Sequence, residues 1–316
     1  MTAVSTNWVP AGDTGAKLYA CTKVMSDALT EVGLLKTSDT GQIDLSAITA
    51  ITPPTTVPIQ TPTEYAYEMR RLESAGKPTV YIRVSYCVVA TTANAAATYR
   101  VAVYFRAGTF TNGAGALGGT VQGYDMSTYV ANSGPTSSVS MTFSRNLFVA
   151  SDGANYLTVV NDPQSAATTS SAKYAYMNFF CERTVDYLSG AYDGEGFISG
   201  HCGVSSHSLS TYQLLNFTSG TAYSAPEVPY QVPGSLFTSS GALSTATIMP
   251  LAVVTPNPKG PAIGSVLAYA ADTTAGGQYD IAMYGVTRRY MDIGNQFTAR
   301  WPYLSAAQSR ALVRFD

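Results

Sequence analysis

The residues best equipped for chemistry sit in one stretch of the chain: Cys181-Glu182, then His201-Cys202, then His207. By type, two thiols and two imidazoles are a zinc donor set. Their spacing argues against it, because structural zinc ligands pair two to four residues apart, and here strand and glycine-rich sequence separates Cys181 from His201. A Cys/His nucleophile is the next reading. Neighbours in an extended chain point to opposite faces, so His201 would not activate Cys202, and no GxSxG elbow supplies a serine alternative. Asp193-Gly194-Glu195-Gly196, with Asp186 nearby, puts only two carboxylates close together, where a calcium loop needs alternating oxygen ligands and a distal Glu. That segment reads as a tight glycine-rich turn with solvated acids. Residues 113–118 scan as GxGxxG, but the following Thr120-Val121-Gln122-Gly123-Tyr124 carries no helical signal, and a dinucleotide fingerprint must open a helix. A hairpin or loop tip fits better. These residues point to no catalytic group, no metal and no cofactor, and so away from an enzyme.

Composition narrows the classes further. Charged residues make up 12% of the 316, against roughly 25% in an average domain, and the net charge is −2. Neither a basic field for nucleic acid nor an acidic solvating tail is present. A hydrophobic content of 46% supports a packed core. The opening residues lack the basic start and apolar run of a secretory signal, which predicts synthesis in the cytoplasm without a signal peptide. No apolar run approaches the ~18 residues of a spanning helix, so no membrane partner is expected. Cys21, Cys87, Cys181 and Cys202 are far apart, as free buried thiols would be.

Any such groups must be carried by particular elements. Leu18, Cys21, Met25, Leu29 and Val32 recur at spacings of three and four, which predicts an amphipathic helix capped by Asp13 or Thr14 and closed by Gly33. Residues 37–63 are rich in Thr, Pro and Ser and read as an edge hairpin or an extended arm of the kind that laps onto a neighbouring subunit. Alternation over 80–88 and 99–105 predicts a long hairpin joined through 91–97. Residues 65–72 fit either strand or helix. Further strands are expected at 139–143, 156–160, 174–181, 212–217, 247–254, 264–270 and 278–286, separated by turn chemistry. Residues 219–246 form a proline-punctuated connection at a surface. With strand following strand and no second helix, the expected fold is mainly β, with antiparallel sheets or a sandwich and one N-terminal amphipathic helix. A boundary near 122–135 divides it into a helix-plus-sheet module, 1–125, and a β-sandwich-like domain, 126–316.

Candidate contact residues follow from type. Trp8 and Trp301, near the two ends, read as anchors docking into the core or into a neighbour. Arg70 (beside Arg71) and the pair Arg288 and Arg289 read as a solvated face or an intersubunit ion pair. Pro53 and Pro54 mark the arm, and Tyr65, Tyr67, Tyr223 and Tyr230 stand for a tyrosine content of 22. Tyr combines apolar area with a polar tip and is enriched at interfaces.

One resemblance bears on the whole. Ser5-Thr6-Asn7-Trp8-Val9-Pro10 leads into the helix ending Glu31-Val32-Gly33-Leu34-Leu35. Next come Thr63-Glu64-Tyr65-Ala66-Tyr67-Glu68-Met69-Arg70, Thr79-Val80-Tyr81-Ile82-Arg83-Val84-Ser85-Tyr86, and the loop from Gly108 through Gly118-Gly119-Thr120. This order resembles the N-terminal module of virion structural proteins of tailed bacteriophages, from tail, collar or fibre-associated components. Met283-Tyr284-Gly285-Val286-Thr287-Arg288-Arg289-Tyr290-Met291 is similar to the late part of such proteins. The resemblance covers a third to a half of the chain and carries over no catalytic residue. It implies a virion subunit whose partners are copies of itself and other virion proteins, with no sequence-specific nucleic acid. A host-surface glycan or receptor binder of the virion is the alternative, and a capsid decoration protein the second.

Overall fold

Thr14 opens the helix as read: its hydroxyl accepts from the Lys17 N–H at 3.3 Å, and α1 runs Gly15–Glu31. Leu18, Cys21, Met25 and Leu29 are buried along one stripe, and Val32 follows as the C-cap. Gly33 leaves the helix at φ 86°, in the left-handed region where a side chain would be strained.

The computed structural model describes residues 2–59, 61–90, 92–120, 145–161, 177–186, 189–201, 211–217, 222–224, 237–239, 247–251, 262–270, 276–283, 285–292 and 310–316. Their strands are β1 (Thr2–Trp8), β2 (Leu35–Lys36), β3 (Thr63–Leu72), β4 (Val80–Ala90), β5 (Tyr99–Gly108), β6 (Phe110–Thr111), β7 (Leu117–Gly118), β8 (Arg145–Ser151), β9 (Tyr156–Asn161), β10 (Met177–Val185), β11 (Tyr192–His201), β12 (Thr211–Asn216), β13 (Ala222–Ser224), β14 (Phe237–Ser239), β15 (Thr247–Leu251), β16 (Ala262–Ala270), β17 (Gln278–Met283), β18 (Val286–Asp292) and β19 (Arg310–Arg314). The chain is mainly β, with antiparallel sheets and one α-helix near the N-terminus among the described residues. No described helix is long and apolar enough to cross a membrane.

Three sheets stack. The middle sheet has the order β1-β8-β9-β10-β11-β12-β13. On one of its faces, Leu147, Val149, Leu157, Val159, Phe179 and Phe197 share a core with α1 and with the inner face of the sheet β2-β3-β4-β5. Phe105 of β5 stacks on Phe179 of β10 at 4.9 Å. On its other face the middle sheet meets the outer sheet, β14-β17-β18-β19-β16-β15, with Phe148 edge-on to Phe315 at 5.6 Å.

Several elements depart from the sequence reading. Residues 65–72 resolve as strand. The interval 278–286 is two strands, because Gly285 at φ 73° turns β17 back along β18. Asp193-Gly194-Glu195-Gly196 is no tight turn but part of β11. Gly194 at φ 76° forms a bulge there, since Arg183 pairs with Phe197 while Val185 pairs with Tyr192. The 37–63 arm carries Leu45, Ile51 and Val57 into this chain's own core, so at these residues it wraps its own module. A division at 125/126 separates β1 from its ladder partner β8, and Phe105 from Phe179. The strand expected at 139–143 and the boundary core at 122–135 lie outside the described residues.

Candidate functional site

Several of the described ionisable side chains join layers. Glu68 and Arg70, two apart on β3, share the face toward α1. Arg70 donates to Glu68 through Nη2 at 2.7 Å and Nε at 3.0 Å. Its remaining N–H groups reach Thr30 Oγ1 at 2.9 Å, the Leu34 carbonyl at 2.8 Å, and Ser26 Oγ and carbonyl at 3.0 and 3.1 Å. Ser26 Oγ and Lys36 Nζ each approach the other Glu68 oxygen at 2.7 Å. Burial by itself would raise the Glu68 pKa. The Arg70 charge and the Lys36 and Ser26 hydrogen bonds outweigh it, holding the carboxyl below its ordinary value. Both residues are buried, so Arg70 is corrected from a surface contact to an internal ion pair that pins the helix to its sheet.

Two further joints use the same device. Buried Arg183 of β10 donates to three carbonyls, those of Ala154 at 2.9 Å, Pro78 at 2.6 Å and Leu72 at 3.0 Å, tying the β3–β4 turn to the middle sheet. Lys77 of that turn reaches the Tyr192 carbonyl at 2.6 Å. On the opposite face, Arg314 Nη1 donates to the Tyr192 hydroxyl at 2.7 Å, which donates to Glu182 at 2.9 Å. The Arg314 guanidinium lies 4.0 Å over the Tyr156 ring, and its Nε meets Asp316 at 2.6 Å. Burial, then the Glu182 charge, drives the Tyr192 phenol far above its usual pKa, so it stays a neutral relay between the two ions. Arg183 has no local sequence signal, because its carbonyl partners are remote in the chain; Arg314 has one only in Asp316, two residues on, its Tyr192 and Tyr156 contacts being remote. Glu68 and Arg70 had one: opposite charges at strand spacing on a shared face.

The residues singled out by type fare unequally. Trp8 is fully buried and donates its indole N–H to the Cys21 carbonyl at 3.2 Å, so of the two expected dockings it takes the core, and its ring is withheld from a neighbour. Tyr65 is half-buried against Tyr86, with its hydroxyl 2.8 Å from Thr22 Oγ1. Tyr67 is half-buried and donates to the Thr40 carbonyl. Pro53 and Pro54 are half-buried, and the Pro54 carbonyl accepts from the Tyr99 hydroxyl at 3.2 Å. Arg289 is exposed and pairs across the β17–β18 hairpin with Asp280 at 2.9 Å. Arg288 is half-buried on the same strand, and Tyr223 lies on edge strand β13. Tyr230 and Trp301 lie outside the described residues, as do Cys202 and His207. Cys181 is buried, burial pushes its thiol pKa upward, and its ladder partner is Ser199. No metal-holding group of three or more His, Cys, Asp or Glu occurs among the described residues.

One recess opens on the outward face of the sheet β2-β3-β4-β5. Its volume is about 240 Å³, and Pro62, Glu64, Arg83, Ser85, Cys87, Tyr104 and Arg106 line it. Arg83 and Arg106 stand directly opposite across the β4–β5 ladder, a like-charge pair that destabilises a sheet unless compensated. Glu64 meets Arg83 at 2.8 Å, and the Arg83 guanidinium lies 4.7 Å over the Tyr67 ring. The lining holds two guanidiniums against one carboxylate, together with Ser and Tyr hydroxyls. Such a lining suits an anionic group with neighbouring hydroxyls. Comparison with protein-family models, with curated proteins and with solved structures finds no match.

Proposed function

We propose that the chain is a structural subunit of a tailed-bacteriophage virion, in the tail, the neck or collar, or at fibre attachment. It works by burying uncharged faces against copies of itself and other particle proteins. One observation supports the reading: the chain is charge-poor, and some of its few charges are spent inside. Asp39, Glu68, Arg70, Glu182, Arg183, Asp292 and Arg314 are all buried, out of 38 acidic and basic residues in total. With so few charges overall, the chain's uncharged faces are weakly protected against association and suited to it. At ~25 cal/mol per Å² of apolar area, a few thousand Å² of such contact outweighs any surface ion pair. Antibody raised against the purified chain should label purified particles of the phage that encodes it. Particles free of the chain by mass spectrometry overturn the reading.

The recess favours a second reading, a host-surface binder of the same virion that holds an acidic glycan through Arg83 and Arg106. Purified chain should then retain carboxylated glycans on an array and lose them on Arg106→Gln. Equal retention of neutral and acidic glycans removes this reading.

A further inference from the structure

We propose that the free edge of β1 pairs antiparallel with β1 of a second copy, joining two middle sheets across a two-fold axis at Ser5. This deepens the assembly reading by naming one of its surfaces and the partner that fits it.

The inference comes from comparing the sheet edges. Natural sheets blunt their edges by shortness, charge, proline, a bulge or a cover, because an open edge templates another strand. Each other described edge shows one of these. β13 and β14 have three residues each, and β2 has two. β15 contains Pro250 and a register shift beside it. β5 carries Arg100 and Arg106, and its start is covered by residues 10–12, through Val101 N–H to the Pro10 carbonyl at 2.9 Å and Gly12 N–H to the Tyr99 carbonyl at 3.1 Å. β1 shows none. It is seven residues long, Thr-Ala-Val-Ser-Thr-Asn-Trp, without charge or proline, and pairs with β8 in unbroken register from Thr2↔Ser151 to Trp8↔Arg145. Among the described residues it is the last strand of its sheet, with no strand beyond it.

The side chains select a second copy as the occupant. In an isologous pair every residue meets its own sequence reversed, so a charge near the axis would face its like. β1 has none. The register that uses the whole strand is centred on Ser5 and sets Ala3 against the partner's Asn7 and Val4 against the partner's Thr6. Ala3, Ser5 and Asn7 are exposed, small and polar or neutral. Val4 packs on the core but is only half-buried, as is Thr6 on the same face, because the sheet ends beside them. A second β1 continues the ladder and covers both.

The test uses the full chain. Directly paired antiparallel residues lie about 4.5–5.5 Å apart at Cα, within disulfide reach. Ser5→Cys should therefore give a reducible covalent dimer under mild oxidant, beyond any formed by wild type. Asn7→Cys alone should not, since two copies of residue 7 lie roughly 13 Å apart in this register, while Ala3→Cys mixed with Asn7→Cys should give the mixed dimer. Ala3→Lys with Asn7→Lys should weaken self-association at least tenfold by sedimentation, and Ala3→Lys with Asn7→Glu should restore it. The proposal is overturned if Ser5→Cys cross-links no more than wild type, or if the double lysine variant associates normally. A wild type that assembles through both results loses the β1 pairing and keeps the assembly reading. A wild type that stays monomeric loses both.

Discussion

Glu68 shows how the desolvation of a charge inside a β-rich core is offset by partners. Its two oxygens take Arg70, Lys36 and Ser26, and no direction is left for water. Removing one member of a buried pair leaves the other uncompensated, which destabilises by about 3–5 kcal/mol. Glu68→Gln should lower the unfolding free energy by that order in a denaturant titration, while loss of the exposed Lys23–Asp27 pair through Asp27→Asn should leave it nearly unchanged. The pH dependence has a definite sign. Asp152, like Glu68, sits below its ordinary carboxyl pKa: burial would raise it, and the Asn155 side chain with backbone N–H groups of the β8–β9 turn overcomes that. A depressed carboxyl contributes stability that is complete above its unfolded pKa, about 4, and disappears as pH falls through the lower folded value. Unfolding free energy should be level from neutral pH to about 5 and drop below 4, with a shallower drop in Glu68→Gln. Arg70 was misread from sequence because adjacency to Arg71 suggested a basic surface pair; the informative neighbour was two residues back, on the same face.

At the scale of elements, legibility followed exposure. The helix was readable because one stripe is buried and the other wet, and β4 and β5 because their hairpin alternates over much of its length. β8 was not, since the middle sheet is covered on both faces and Leu147-Phe148-Val149-Ala150 shows no period. β11 was hidden by Gly194, Gly196 and Gly200, which look like turn chemistry; all three lie in the strand, and Gly194 marks its bulge. Glycine also marks where elements touch. Gly153, in the β8–β9 turn at φ 70°, lies against the residue that ends α1: a Cβ there would stand 2.9 Å from the Gly33 carbonyl oxygen. Gly76 has a similar φ of 73° and open space around it. Both alanine variants carry the left-handed strain of roughly 1–2 kcal/mol, but only Gly153→Ala also forces two backbones apart. Its melting temperature should fall clearly further than that of Gly76→Ala. Equal losses would mean that the Gly33–Gly153 approach is not constrained.

For the whole molecule, the three-layer stack was not readable from local pattern, because β1 joins a sheet whose other strands begin at residue 145 and the joints through Arg183 and Arg314 span more than a hundred residues. The mainly antiparallel character was readable, from strand following strand without intervening helices. What matters most for function is that several of the scarce charges hold layers together inside, and that among the described residues one long sheet edge lacks the usual protections. Native mass of the full chain, followed over a wide concentration range at physiological salt, tests that account most directly. Assembly predicts a closed oligomer, with a mass that is a whole multiple of one chain and with dissociation only on dilution. A freely soluble monomer at the highest concentration would contradict it.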